Sequence, residues 1–183
     1  MKTINGVNYF GYVETSNLKA TVAGHIFDVV MNTGLENGMA LKLGDLTSAN
    51  EIHSAALPAA TDEIVLVANE ALIYDESTRK AQEEWFYSIP AGEVARCYEV
   101  AKHDRFSVLD YSITALSDKV VVGNYIVVDP STGFYTEVAK SGFDADDYGF
   151  AARIFAIEPR MIGSTSNATL VRVEVVKNET VSA

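Results

Sequence analysis

The sequence "ATLVRVEVV", residues 168–176, decides the fold class of this chain. Its valines at positions 171, 173 and 175 alternate with Arg172 and Glu174. A period of two is typical of a β-strand with one buried side and one side that faces solvent. The apolar stretch "GFAARIFAI", residues 149–157, indicates another strand just before it. These two stretches predict that the chain ends in β-structure.

Further strands are indicated upstream, with turn residues between them. Residues 62–68, "DEIVLVA", are apolar on both faces, which predicts a central strand. In "DPSTG", residues 129–133, the proline pre-sets a turn and the glycine can adopt a left-handed conformation, so a hairpin is expected. The remaining strand candidates are residues 38–44, 93–100, 105–109, 120–128 and 134–139, with a weaker one at 50–57. A short strand at 26–31 is a further candidate within the N-terminal segment.

The pattern predicts a mainly β fold, a small antiparallel β-barrel or sandwich, with about eight or nine strands. The β–α alternation that a parallel sheet needs is not seen. Residues 73–86, "IYDESTRKAQEEWF", are the clearest helical candidate, with Asp75 or Ser77 as the N-terminal cap. The alternative is an irregular loop that carries Trp85 and Phe86 onto a neighbour.

Residues 1–37 form the least regular part of the sequence. They are rich in Asn, Gly, Thr and single aromatic residues, and their apolar positions follow neither helical nor strand spacing. We therefore expect an extended N-terminal arm, followed by a single β-rich domain over residues 38–183. The alternative is that residues 1–37 supply an ordinary first hairpin of that domain.

Composition limits the classes of function. With 183 residues, 48% of them hydrophobic, the chain is long enough and apolar enough to bury a core. A formal net charge of −11 argues against binding to nucleic acid phosphates and against docking on anionic membranes. The sequence contains no signal peptide and no apolar run long enough to cross a bilayer, which favours synthesis in a cytoplasm.

The single cysteine and the three histidines offer little chemistry. Cys97 lies in a strand candidate and is expected to be a small buried apolar residue. His25, His53 and His103 are not spaced as zinc ligands, and His103 is expected in a turn, satisfied or exposed.

The acidic stretch "SGFDADDYGF" resembles part of a calcium loop through Asp144, Asp146 and Asp147. No glutamate closes such a loop at its twelfth position, so an exposed polar turn is favoured over a weak calcium site. We find no catalytic constellation and no cofactor motif, and we expect a protein that is not an enzyme.

The order of several phrases is similar to that in a group of small virion proteins of tailed bacteriophages, the head decoration, cement or minor structural proteins. The phrases are "NLKATVAGHIFDVV", "LENGMALKLGDL", "ALIYDESTRKAQEEWF", "GEVARCYEVAKHDRFSV", "VVGNYIVVDPSTGFYTEV" and "LVRVEVVKN". The resemblance covers about residues 17–178, and residues 1–16 lie outside it.

This resemblance implies a protein made in the bacterial cytoplasm that binds the outer surface of the capsid. The implied partner is the major capsid protein, and the implied assembly is a homo-oligomer, with a trimer favoured. An arm over residues 17–46 would lie on the capsid or on a neighbouring subunit. The expected partner contacts are apolar anchors: Tyr9, Phe10, Tyr12, Leu18, Phe27, Trp85 and Phe86.

Two alternatives stay open. One is another virion role, at the neck, the tail or a fibre base, with few copies per particle. The other is a cytoplasmic β-barrel that binds a small molecule or acts as an enzyme, which predicts a deep pocket with convergent polar groups.

Overall fold

The structure is a computed structural model, and it describes residues 2–4, 7–48, 51–69, 84–162 and 166–181. The strands are β1 (Lys2–Ile4), β2 (Val7–Tyr9), β3 (Val13–Asn17), β4 (Ile26–Val30), β5 (Ala40–Leu46), β6 (Ile52–Ala56), β7 (Val65–Val67), β8 (Val94–Glu99), β9 (Arg105–Leu109), β10 (Ile113–Thr114), β11 (Tyr125–Val128), β12 (Tyr135–Val138), β13 (Phe150–Ile162) and β14 (Ser166–Asn178). One short α-helix, α1 (Ala20–Ala23), lies between β3 and β4. Isolated 3-10 turns occupy Glu84–Phe86, Asp110–Ser112, Lys140–Gly142 and Ala145–Asp147.

The strands form a closed barrel and an open sheet, and β1 and β2 pair with each other. The barrel has five strands in the order β4-β6-β5-β7-β8, and the sheet has seven in the order β10-β12-β11-β13-β14-β9-β3. Pairing is antiparallel except between β4 and β6 and between β10 and β12. The predicted mainly β class is confirmed, and the architecture joins a barrel to a sheet.

The alternation that predicted the C-terminal strands is confirmed. Val171, Val173 and Val175 are buried, whereas Arg172 and Glu174 lie on the opposite, partly exposed face of β14. Both β13 and β14 are longer than the sequence pattern indicated and pair along almost their whole length. The resulting hairpin forms the centre of the sheet.

Strand β7 explains why residues 62–68 are apolar on both faces. It pairs with β5 on one side and β8 on the other, so it is a central strand, as predicted. Ile64 and Leu66 enter a core shared with the sheet, while Val65 and Val67 point into the barrel. Because successive side chains of a strand point to opposite faces, one short strand supplies both cores.

The barrel interior is filled by side chains. Its buried members are apolar and come from all five strands or from segments beside them: Val29, Leu35, Met39, Leu41, Val65, Val67, Ile89, Ala95 and Cys97, with Ala55 of β6 packed against them. Cys97 is fully buried there, and burial raises the pKa of its thiol to about 12. The expected small, buried, apolar cysteine is confirmed.

The hairpin predicted at residues 129–133 joins β11 and β12. The Asp129 carboxylate accepts hydrogen bonds from the Ser131 N–H at 2.9 Å and from the Ser131 hydroxyl at 2.6 Å. Gly133 has a φ of +72°, in the left-handed region that favours glycine. A Cβ atom at this position would also lie only 3.0 Å from the carbonyl oxygen of Ala40.

Residues 1–37 differ from the extended arm that the sequence analysis expected. Strand β3 pairs with β9 in the sheet, and β4, which confirms the strand candidate at residues 26–31, closes the barrel against β6 and β8. Leu18, between them, is only 2% exposed. The strands that pair with β3 and β4 come later in the chain: β9 pairs with β3, and β6 and β8 pair with β4. Periodicity within a short segment does not reveal such partners.

Most of the helical candidate at residues 73–86 lies outside the described residues, and only Glu84–Phe86 are described, as a 3-10 turn. Within the described part of the chain, no helix has the length and apolar character needed to span a membrane.

Candidate functional site

A cleft of about 510 Å³ opens beside the β13–β14 hairpin, outside the barrel. One side is formed by residues of β13 and β14, and the other by the segment of residues 110–120. We call it the hairpin cleft. Its apolar lining consists of Ile113, Ala115, Val120, Ile157, Pro159 and Val171. Val171 and Ile113 also belong to the shared core, so the cleft is an open continuation of that core.

A few polar groups edge the hairpin cleft: Asp110, Tyr111, Asp118, Lys119 and Thr169. The Thr169 N–H donates a long hydrogen bond of 3.5 Å to Asp110. The Tyr111 hydroxyl donates to the Phe10 carbonyl oxygen at 2.8 Å, and burial raises its pKa. Within the described residues, no group of three or more His, Cys, Asp and Glu side chains is placed to hold a metal ion.

The segment of residues 115–122, which we call the 115–122 loop, exposes three large aliphatic side chains. Leu116 is 58% exposed, Val121 49% and Val122 53%. Ala115, Asp118, Lys119 and Val120 of the same loop line the hairpin cleft. Clustered exposed apolar side chains next to a cleft are typical of a surface that binds another molecule.

A buried carboxylate fixes the conformation of this loop. Glu137, on β12, is 1% exposed. Its carboxylate oxygens accept hydrogen bonds from the Leu116 N–H at 3.0 Å, the Val121 N–H at 2.9 Å and the Asn124 side-chain amide at 2.7 Å. A charged group buried without hydrogen bonds would be strongly destabilising, and these three donors offset that cost. Glu137 therefore ties both ends of the 115–122 loop to the sheet.

Backbone contacts hold the chain directly after the loop. The Gly123 N–H donates to the Ile154 carbonyl oxygen at 2.8 Å, and the Ile154 N–H donates to the Asn124 carbonyl oxygen at 2.9 Å. The Asn124 side chain also accepts a hydrogen bond of 3.2 Å from the Lys140 N–H. The exposed apolar side chains are consequently presented by a fixed backbone.

The structure places most of the expected partner anchors in internal contacts. Tyr9, Tyr12 and Phe86 belong to a small core with Leu109 and Leu170, and Leu18 belongs to the shared core. Trp85 packs against this small core, Phe27 packs against the barrel core, and the Phe10 N–H donates to the Trp85 carbonyl oxygen at 2.7 Å. These residues cover other parts of the same chain, which differs from the role expected for them.

Tyr12 illustrates how the N-terminal segment is held. Its hydroxyl donates to Glu14 at 3.1 Å, and the guanidinium group of Arg160 lies 5.6 Å from the centre of its ring. Burial, together with the nearby Glu14 carboxylate, raises the pKa of Tyr12 to about 12. Arg160 also forms an ion pair with Glu14 at 3.1 Å, so strand β3 is attached to the β13–β14 hairpin.

The acidic stretch forms a turn with a structural role. Asp144 accepts a hydrogen bond from the Asp146 N–H at 3.0 Å, and the carboxylates of Asp144, Asp146 and Asp147 are on exposed residues. Phe143 stacks on Tyr125 with ring centres 3.9 Å apart, which anchors this turn to β11.

The histidines occupy exposed or partly exposed positions. His103 is in a turn with a φ of 74° and lies 3.6 Å from Glu174, which agrees with the expected turn histidine. His25 contacts Glu99, and His53 contacts the Gly44 carbonyl oxygen at 2.9 Å. Each of the three imidazole rings therefore contacts a different part of the chain.

Sequence reasoning missed the 115–122 loop and Glu137. The run "VVVGNYIVV" predicts one strand from residue 120, whereas β11 begins at Tyr125. A signal was present in Gly123-Asn124, which interrupts the apolar run and is typical of a turn.

Comparison of the chain with protein-family models, curated proteins and solved structures finds no match.

Proposed function

We propose that this chain is a non-enzymatic virion structural protein that binds the outer surface of an assembled bacteriophage capsid and stabilises it. The ordered phrases over residues 17–178 that are similar to head decoration proteins support this proposal. The partner would be the major capsid protein, and the protein would act on the capsid surface after synthesis in the host cytoplasm.

The observation that carries the proposal is the 115–122 loop. Fully burying a large aliphatic side chain contributes about 1.5–3 kcal/mol, so covering Leu116, Val121 and Val122 would give a substantial gross gain. Association and ordering costs reduce that gain. Because the backbone of the loop is already fixed by Glu137, little further ordering is needed on binding.

The charge of the chain also suits this role. A net charge of −11 keeps free copies soluble and causes them to repel each other. Many identical sites on one capsid, or a trimer that engages several sites together, would raise the effective affinity of a modest individual contact. A trimer is the assembly that the resemblance implies, and analytical ultracentrifugation of the purified chain tests it.

A small-molecule-binding barrel is the less favoured candidate. Such a barrel would hold its ligand inside, but the interior of this barrel is packed with apolar side chains. The hairpin cleft lies outside the barrel.

Quantitative mass spectrometry of particles purified from the source culture tests the proposal. We expect a ratio to the major shell protein that corresponds to hundreds of copies per particle. About five to a dozen copies, as cyclic neck and tail assemblies carry, would favour the neck, tail or fibre-base alternative. Complete absence of the chain from the particles would overturn a virion role.

A further inference from the structure

We infer that the hairpin cleft and the 115–122 loop together receive one segment of a partner protein, in which apolar side chains are flanked by a lysine or an arginine. The inference rests on the proposed function, because the partner is taken to be the major capsid protein. It goes further by assigning the contact to one surface and one kind of segment.

The apolar part of the segment follows from the lining of the cleft. Ile113 and Val171 of the shared core line the cleft together with the partly buried Ile157. The loop that supplies its other wall exposes Leu116 and Val122. A volume of about 510 Å³ is within the range of roughly 300–1,000 Å³ found for sites that enclose a ligand. The cleft therefore has room for a short stretch of side chains.

The way the sheet edges are built favours binding through side chains over the addition of a strand. Beyond Ile154, whose backbone bonds to Gly123 and Asn124, the described part of β13 has a strand partner only on the β14 side, and this edge contains Pro159. Proline has no N–H and discourages the addition of another strand to an edge. The terminal strands of the sheet, β10 and β3, are short, and the pairing of β3 is irregular between Glu14 and Asn17. A partner would consequently bind through side chains that enter the cleft.

The positive charge of the segment follows from electrostatics. Asp118 is exposed at the edge of the cleft and has no ion-pair partner among the described residues, and Asp110 lies at the same edge. Lys119 offsets only part of this negative charge. A lysine or an arginine beside the apolar residues of the segment would complement this charge.

Matched surface variants test the assignment. Purified shells that lack this chain are mixed with the full-length protein, and binding is measured by co-sedimentation. We expect Val122→Ser and Asp118→Lys each to weaken binding by about tenfold, as loss of a contact at the centre of an interface does. The controls are Val22→Ser and Asp144→Lys, because Val22 is 93% exposed on α1 and Asp144 is exposed in a separate turn. The controls should bind within about twofold of wild type.

A photo-cross-linking amino acid placed at Lys119 identifies the occupant. We expect the cross-linked peptide to come from the shell protein and to contain apolar residues next to a lysine or an arginine. A peptide from a second copy of this chain, or an acidic shell peptide, would overturn the inference. Failure of the wild-type chain to bind shells would overturn the proposed function itself. Wild-type binding that neither Val122→Ser nor Asp118→Lys weakens would overturn only the assignment to this surface.

Discussion

The side-chain amide of Asn178 satisfies both backbone polar groups of Ile64. Asn178 accepts a hydrogen bond from the Ile64 N–H at 2.8 Å and donates one to the Ile64 carbonyl oxygen at 2.9 Å. Its Nδ2 also donates to the Val100 carbonyl oxygen at 2.7 Å. Asn178 ends β14 in the sheet, whereas Ile64 and Val100 flank strands of the barrel, so one side chain joins the two parts of the molecule.

Replacing Asn178 by aspartate should therefore destabilise the whole chain. The shape is kept, but the carboxylate has no N–H to donate, and it would face the carbonyl oxygens of Ile64 and Val100. Leaving such buried acceptors without donors costs about 1–3 kcal/mol each, and more when a charge is involved. We expect a lower midpoint of chemical denaturation for Asn178→Asp. Asn32→Asp, at an exposed turn, is the control and should change the midpoint little.

Glu137→Gln should loosen the 115–122 loop without unfolding the domain. One carboxylate oxygen becomes an NH₂ group, so one of the Leu116 and Val121 N–H groups loses its acceptor. In the wild-type protein, hydrogen exchange should show both amides protected although they lie outside a strand. In Glu137→Gln we expect exchange of the amide that loses its acceptor to rise by about tenfold, the equivalent of a hydrogen bond worth about 1.4 kcal/mol.

The control variant for this experiment is Glu158→Gln, because Glu158 is exposed on the sheet, where it forms an ion pair with Arg172. That variant should leave exchange in the 115–122 loop unchanged. Rapid exchange of the Leu116 and Val121 amides already in the wild-type protein would show that Glu137 does not fix the loop.

Asp129 should make stability depend on pH. Hydrogen bonds from the Ser131 hydroxyl and N–H hold the pKa of Asp129 below its ordinary value of 3.8. When the pKa of a carboxyl group is lower in the folded state than in the unfolded state, the ionised group stabilises the folded protein at pH values above the unfolded pKa. This contribution disappears as the pH falls through the folded pKa. Asp129→Asn should therefore melt at a lower temperature than wild type at pH 7, and the difference should shrink below pH 3.8.

Thermal melts at both pH values check this prediction, with Asp45→Asn at an exposed position as the reference. If the melting temperatures of wild type and Asp129→Asn differ equally at pH 7 and below pH 3.8, the charge of Asp129 does not contribute to the difference in stability.

Deletion of residues 1–35 should abolish cooperative folding. The deletion removes β3 from the sheet and β4 from the barrel, so β6, β8 and β9 each lose one of their two neighbouring strands. Deletion of residues 1–8 leaves β3 and β4 in place and should give a soluble chain with a sharp thermal transition. Circular dichroism of the two truncated proteins separates this expectation from the arm interpretation, in which the larger deletion would also fold.

The parts of the fold that could be predicted are those whose pattern is local. The alternation in β14, the turn after Asp129 and the two-sided apolar strand β7 all carry their signal within a few residues. Strand β3, "VETSN", has almost no apolar side chains of its own, because it is an edge strand covered on one side only. Its assignment depends on its pairing with β9, and no local pattern reveals that pairing.

The candidate site was hidden for a related physical reason. Val121 and Val122 look like the start of a buried strand, and their exposure is set by Glu137, whose own burial depends on tertiary structure. A glutamate in an alternating strand is normally assigned to the solvent face. Neither the buried carboxylate nor the exposed valines could be assigned correctly without the other.

The order of strands has a consequence for how the chain folds. The whole barrel, β4 to β8, is inserted between β3 and β9, two strands that are neighbours in the sheet. Closing such a long excursion has an entropic cost that is reduced once the excursion is itself compact. We expect the barrel to form early and the β3–β9 pairing to form late, and pulse-labelled hydrogen exchange during refolding would show that order. The N-terminal segment would then be the last part of a newly made chain to become protected, although it is the first to leave the ribosome.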